Sequence, residues 1–217
     1  MVEFSNGAAK MRQDNEIETV FWKGHCHLEV ICGPMFSGKT EELIRLIRRV
    51  EYARLKSIVF KPMIDIRYSH DLVVSHAKRT ITSIPVDTVD RIRSFLANAQ
   101  ETYHVVGLDE VHFFEEDVIE LCEELVNSGH RVIAAGLSED YLGRPFGPMP
   151  KLLAHADSVT KLWAICMRCG APASKTQRLA ANEEQVLVGA DLLYEARCRS
   201  CYRKNTQPDL GASRLAL

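Results

Sequence analysis

The segment HLEVICGPMFSGKTEELIRLIRRV joins an apolar run to the octapeptide GPMFSGKT, Gly33 to Thr40, and then to apolar residues at helical spacing. The octapeptide fits G-x-x-x-x-G-K-[ST] at every fixed position, between the strand and the helix that this pattern requires. Few folds accommodate such a unit. Its glycines let backbone N–H groups close around phosphate oxygens at a helix N-terminus. The strand in turn needs parallel neighbours reached through helical crossovers. Gly33, Pro34, Met35, Phe36, Ser37, Gly38, Lys39 and Thr40 are therefore the expected phosphate-binding set. Lys39 would reach the transferred end of a nucleoside triphosphate, and Thr40 would offer its hydroxyl to Mg2+.

The rest of the chain repeats the alternation of Val- and Ile-rich runs with helical periods. Strands are expected at HLEVIC, SIVF, TITSIPV, HVVGL and RVIAAG. Helices are expected over Thr40 to Leu55, Arg91 to Glu101, Asp117 to Asn127 and Met149 to Ala156. In the first of these, Leu43, Leu46, Ile47, Val50 and Ala53 make one face. The class is α/β, a mainly parallel sheet flanked by helices. With 217 residues and 46% apolar composition, one sizeable core and a small appendage are the natural fit. The boundaries read as a flexible segment 1–24, a phosphate-loop domain 25–163, a small metal-binding domain 164–204 and a flexible tail 205–217.

Composition narrows the function classes. Lys and Arg number 27 against 29 Asp and Glu, which leaves no basic footprint for nucleic acid. No stretch approaches the roughly eighteen apolar residues of a membrane span, and the opening lacks the layout of a secretory signal. The expectation is a soluble, cytoplasmic protein with no membrane or nucleic-acid partner.

HVVGLDE ends a buried strand in two adjacent carboxylates. Asp109 is placed to serve Mg2+, and Glu110 is free to act as a base on an attacking oxygen. The following VHFF makes LDEVHFF resemble the DExH signature of nucleic-acid motors. A motor needs two such lobes, and this chain has length for one. The Asn-Lys-x-Asp segment with which regulatory GTPases read guanine is missing as well. A small-molecule kinase is what remains, with Phe113 and Phe114 available to wall an acceptor pocket. A phosphate-loop ATPase that binds nucleic acid or protein through a zinc ribbon is the second reading, and an inactive zinc scaffold the third.

CMRC (Cys166, Cys169) and CRSC (Cys198, Cys201) form paired knuckles around residues 170–197. Four thiolates at this spacing suit a closed tetrahedral zinc site of structural type, with redox pairs or an iron–sulfur cluster as alternatives. Cys26, Cys32 and Cys122 read as buried structural residues.

Together, GPMFSGKT, KPMIDIRYS, DEVHFF, GLSEDYLGRPFGPMP and the twin knuckles around TQRL and VLVGAD resemble the cytosolic type II thymidine kinase family, from about Leu28 to Tyr202. The resemblance implies a RecA-like phosphate-loop NTPase fold with a zinc-tethered lasso over the nucleoside. It implies transfer of the γ-phosphoryl of ATP to the 5′-hydroxyl of deoxythymidine, with Mg2+, structural Zn2+, feedback by thymidine triphosphate and a homotetramer. Carried across by residue, it makes Glu110 the general base, Asp109 a magnesium carboxylate and Arg67, beside Asp65, a phosphate ligand. Met35, Phe113, Leu137, Tyr141 and Phe146 become the enclosure of base and sugar, and Thr176, Val186, Val188, Gly189 and Tyr194 the lasso contacts. Three positions depart from the family pattern. His112 replaces a Gln, which either alters a hydrogen bond near the base or sugar or makes it depend on pH. Ser138 replaces an Asp, and Leu142 replaces an Arg.

Overall fold

The computed structural model describes residues 26–63, 72–74, 80–179 and 193–203. Its main sheet contains β1 (Leu28–Gly33), β2 (Ser57–Pro62), β5 (Ile84–Val86), β6 (Val105–Leu108), β7 (Arg131–Leu137) and β8 (Ser158–Lys161) in the order β5-β2-β6-β7-β1-β8. Every adjacent pair is parallel. A short antiparallel pair, β3 (Leu72–Val74) and β4 (Thr80–Thr82), stands apart.

Alternation along the strands separates the two faces. Val30, Cys32, Val106, Leu108, Val132 and Ala134 share one cluster with α2 (Val89–Asn98), α3 (Val118–Asn127) and α4 (Met149–His155). Ile31, Val59, Val105, Ile133 and Ala135 share the other with α1 (Lys39–Tyr52). Helices cover both faces, which is why the central strands read as continuous apolar runs. Five apolar α1 residues, Leu43, Ile44, Leu46, Ile47 and Val50, are buried, each worth about 1.5–3 kcal/mol in burial.

Three expectations change. The first helix ends at Tyr52 rather than Leu55, because Arg54 turns left-handed (φ 60°). The Leu55 N–H then bonds Val50 O at 3.1 Å and the Arg54 N–H bonds Glu51 O at 2.8 Å. This is a Schellman closure in which Leu55, at helical spacing, packs back on the helix from outside it. Ala53 is exposed, and Ile44 takes the place expected for it on the buried face. TITSIPV splits at Ser83 into β4 and β5. Pro85 lacks an N–H to share, so β5 lies at the sheet edge. At the opposite edge β8 went unread, since SVTK is largely exposed and carries little apolar signal.

The C-terminal unit has two antiparallel pairs, β9 (Ala164–Ile165) with β10 (Pro172–Ala173) and β11 (Lys175–Arg178) with β12 (Tyr194–Arg197). Its small core holds Ala164, Cys166, Ala173, Ala196 and Cys198. No helix among the described residues is long and apolar enough to cross a membrane.

Candidate active site

The loops that follow β1, β6 and β7 meet at the carboxyl ends of the parallel strands, where open α/β sheets place their ligands. Gly33 is fixed by space. A Cβ there would stand 2.7 Å from both Leu162 O and Ser37 Oγ. Gly38, left-handed at φ 83°, turns the chain into α1. Ser37 Oγ donates to Pro34 O at 2.8 Å, and the buried Lys39 Nζ donates to the same carbonyl at 2.9 Å. Burial pulls the Lys39 ammonium below its usual range, opposed by the carboxylates of Glu110 and Asp109.

Asp109 is anchored at the end of β6, where its N–H donates to Phe60 O at 2.9 Å. Thr40 Oγ1 donates to Asp109 Oδ2 at 3.4 Å, which joins the loop to the carboxylate strand. The Glu110 N–H donates to Asp109 Oδ1 at 3.0 Å. Glu110 itself is left-handed (φ 49°, ψ 39°), a conformation that costs a non-glycine residue about 1–2 kcal/mol and concentrates at functional sites.

A short 3-10 turn, Val111–Phe113, sets the next wall. His112 Nδ1 accepts the Leu137 N–H at 3.1 Å and lies 3.5 Å from Glu110 Oε2. That bond requires a lone pair on Nδ1, so the ring is neutral with its proton on Nε2. Burial, with Lys39 as a second cause, holds its pKa well below 6.5. Protonation of Nδ1, which would break the bond to Leu137, is therefore disfavoured. His112 packs on Phe113 (centroids 4.2 Å) and Phe146 (4.6 Å), and those two rings meet edge to face at 5.6 Å. Gly147 permits this approach, because a Cβ there would lie 2.3 Å from His112 O.

Met35 and Thr176 are joined directly, the Met35 N–H donating to Thr176 Oγ1 at 3.0 Å. Tyr141 and Tyr194 are joined through the buried Arg178, whose guanidinium lies 3.6 Å from the Tyr141 ring centroid and whose Nε donates to Tyr194 Oη at 3.2 Å. Sequence reasoning missed Arg178. TQRL presents it as one basic residue among many, and its partners lie far along the chain. It also missed Asp140, which accepts the N–H groups of Leu142 (2.8 Å) and Arg144 (2.9 Å) and so shapes the loop from Leu137 to Phe146. An Asp two residues before a glycine-containing turn was the available signal. Ser138 lines a cleft of about 130 Å³ with Lys161, Lys175 and Arg199. Asp65, Arg67, Val186, Val188 and Gly189 lie outside the described residues.

The Sγ atoms of Cys166, Cys169, Cys198 and Cys201 all fall within 4.8 Å of one another. Cys169 and Cys198 Sγ are 3.7 Å apart, and no disulfide joins any of the four. Zn–S bonds of about 2.3 Å in a tetrahedron put sulfurs about 3.8 Å apart, so the set fits zinc. Each knuckle is closed by its own backbone, through Gly170 N–H to Cys166 O (2.9 Å) and Cys201 N–H to Cys198 O (3.1 Å). Burial pushes the Cys166 thiol up, but N–H groups of Cys198, Arg168 and Cys169 outweigh it and bring it to about 6. Of the other cysteines, Cys32 and Cys122 are buried as expected, while Cys26 is only half-buried.

The thymidine kinase family model matches residues 26–202, a span that takes in the phosphate loop, the carboxylate pair and both knuckles. The chain belongs to the thymidine kinase family. Among its relatives, the thymidine kinase of Bacteroides fragilis is 50% identical over 182 residues, 84% of this chain and 89% of that protein. The thymidine kinase of Rhodothermus sp. is 51% identical over 176 residues, 81% of each chain. That of Bacteroides thetaiotaomicron is 50% identical over 175 residues, 81% of this chain and 86% of the relative. The family is one of ATP-dependent deoxynucleoside kinases. Membership accounts for a phosphate loop joined to a carboxylate strand.

Proposed function

We propose that this chain transfers the γ-phosphoryl group of ATP to the 5′-hydroxyl of deoxythymidine. The observation that carries the reading is the junction at Thr40, Asp109 and Glu110, with the buried Lys39 ammonium beside both carboxylates. Residues Gly33 to Thr40 bind the triphosphate, and Lys39 draws charge from its terminal phosphate. Thr40 and Asp109 are the residues that would hold magnesium, which when bound neutralises charge on the phosphates.

Glu110 takes the proton of the 5′-hydroxyl as its oxygen bonds to the γ-phosphorus. The bond to the bridging oxygen breaks, and ADP leaves with the electron pair. Met35, Phe113, Leu137, Tyr141 and Phe146 enclose base and sugar. Thr176 and Tyr194 approach from the unit 164–204, which serves as a lasso fastened by its four thiolates. Arg178 positions Tyr141 and Tyr194 rather than touching substrate. Arg67, Val186, Val188 and Gly189 complete the set on the resemblance alone. Thymidine triphosphate, which joins the nucleoside to a triphosphate, suits both halves at once as a feedback ligand.

Steady-state ATP turnover with thymidine, with other deoxynucleosides and with DNA tests the reading. Thymidine should raise turnover by at least about two orders of magnitude over ATP alone, the scale at which a positioned base and acceptor act. DNA should leave it unchanged. Stimulation by DNA without stimulation by thymidine would put the zinc-ribbon ATPase in its place.

A further inference from the structure

We infer that the four-cysteine unit holds the phosphate loop in its anion-binding shape through Phe36 and Thr176, so that filling the thiolate site strengthens ATP binding. This rests on the reading of Gly33 to Thr40 as the ATP site. It adds a second task for a unit otherwise assigned to the nucleoside.

Two independent contacts carry the inference. Phe36, in the middle of the loop, packs its side chain against the core formed by Ala164, Cys166, Ala173, Ala196 and Cys198. Its backbone is left-handed (φ 65°), a conformation that non-glycine residues keep only where their surroundings enforce it. The cysteine core is part of those surroundings. The adjacent Met35 N–H is held at 3.0 Å by Thr176 Oγ1, a hydroxyl contributed from 141 residues away in β11. A phosphate loop works by the directions of its N–H groups, and this one is set from outside the loop.

The platform itself depends on the thiolates. Its core is five small residues, two of them cysteines of the cluster, too little apolar surface to order a unit unaided. β9 runs directly into Cys166, and β12, paired with β11, runs into Cys198. Opening the cluster therefore frees both the packing face for Phe36 and the strand that carries Thr176. The internal bonds of Ser37 and Lys39 to Pro34 O and the Thr40 contact to Asp109 would remain, and none of them holds Met35 N–H or the Phe36 side chain.

The test is equilibrium binding of ATP by calorimetry, without nucleoside, to the full chain loaded with zinc and to the same chain stripped by a chelator under reducing conditions. Stripping should weaken ATP binding on the order of tenfold, within the usual span of coupling between sites. The zinc-loaded double variant Phe36→Ala/Thr176→Val should lose a similar factor with full metal content, and stripping it should cost little more. Thr176→Ser, which keeps the hydroxyl, should bind as the parent does.

Equal ATP affinity of loaded and stripped parent, within about twofold, overturns the inference. So does parental affinity in the loaded double variant, which decides alone if circular dichroism shows that stripping melts the sheet. A loaded parent that binds no ATP at all removes the proposed function and the coupling with it.

Discussion

Replacing Glu110 by glutamine should leave ATP affinity nearly unchanged while turnover with thymidine falls by roughly two to four orders of magnitude, the usual worth of a general base. Glutamine keeps the length and hydrogen bonding of the side chain and loses its basicity. The left-handed backbone tolerates either residue equally, so the fold should not register the change. Among the described residues, two neighbours of Glu110 are already engaged. His112 Nδ1, 3.5 Å away, spends its lone pair on the Leu137 N–H, and burial disfavours its charged form. Asp109 already accepts from Thr40 and from the Glu110 N–H. Turnover within a few fold of the parent would take Glu110 out of the chemistry.

Lys39→Ala should do damage of a different kind, lowering turnover by roughly two to three orders of magnitude and weakening ATP binding as well. The ammonium is buried and desolvated, bonded to Pro34 O, with the charges of Glu110 and Asp109 acting on it, which under the proposed function suits it to meet negative charge. Its removal deprives ground state and transition state alike of that charge. ATP affinity thus separates the two variants, preserved in Glu110→Gln and lost in Lys39→Ala. Normal phosphorylation by the lysine variant would contradict the assignment of the loop.

How legible these features were follows from how local they are. The β1, loop and α1 unit was readable because its glycines, its lysine and its apolar spacing are contiguous and each answers a local demand of the backbone. The carboxylate pair was readable for the same reason. The four cysteines stood out because ligand spacing survives the long insertion between knuckles.

What escaped reading depends on partners remote in sequence. Arg178 becomes a structural cation only because Tyr141 and Tyr194 arrive on either side of it. Phe36 looks like a variable loop position until the cysteine core packs against it. Leu55 has helical spacing, yet it closes the helix from beyond its end. β8 carries the polar residues of an exposed edge and pairs with β1, more than a hundred residues earlier. His112 was visible as a departure from the family pattern, but its neutral state is set by a backbone N–H from β7 that only the fold brings near.

The central claim, direct transfer of phosphoryl from ATP to the nucleoside, is tested most directly by following the label of ATP whose three terminal γ-oxygens are 18O. Mass spectrometry of the products formed with thymidine and magnesium reads the outcome. The predicted product is thymidine 5′-monophosphate with three labelled oxygens, its fourth oxygen on phosphorus being the unlabelled 5′-oxygen of the nucleoside. Label found only in inorganic phosphate, with thymidine recovered unchanged, would contradict the account.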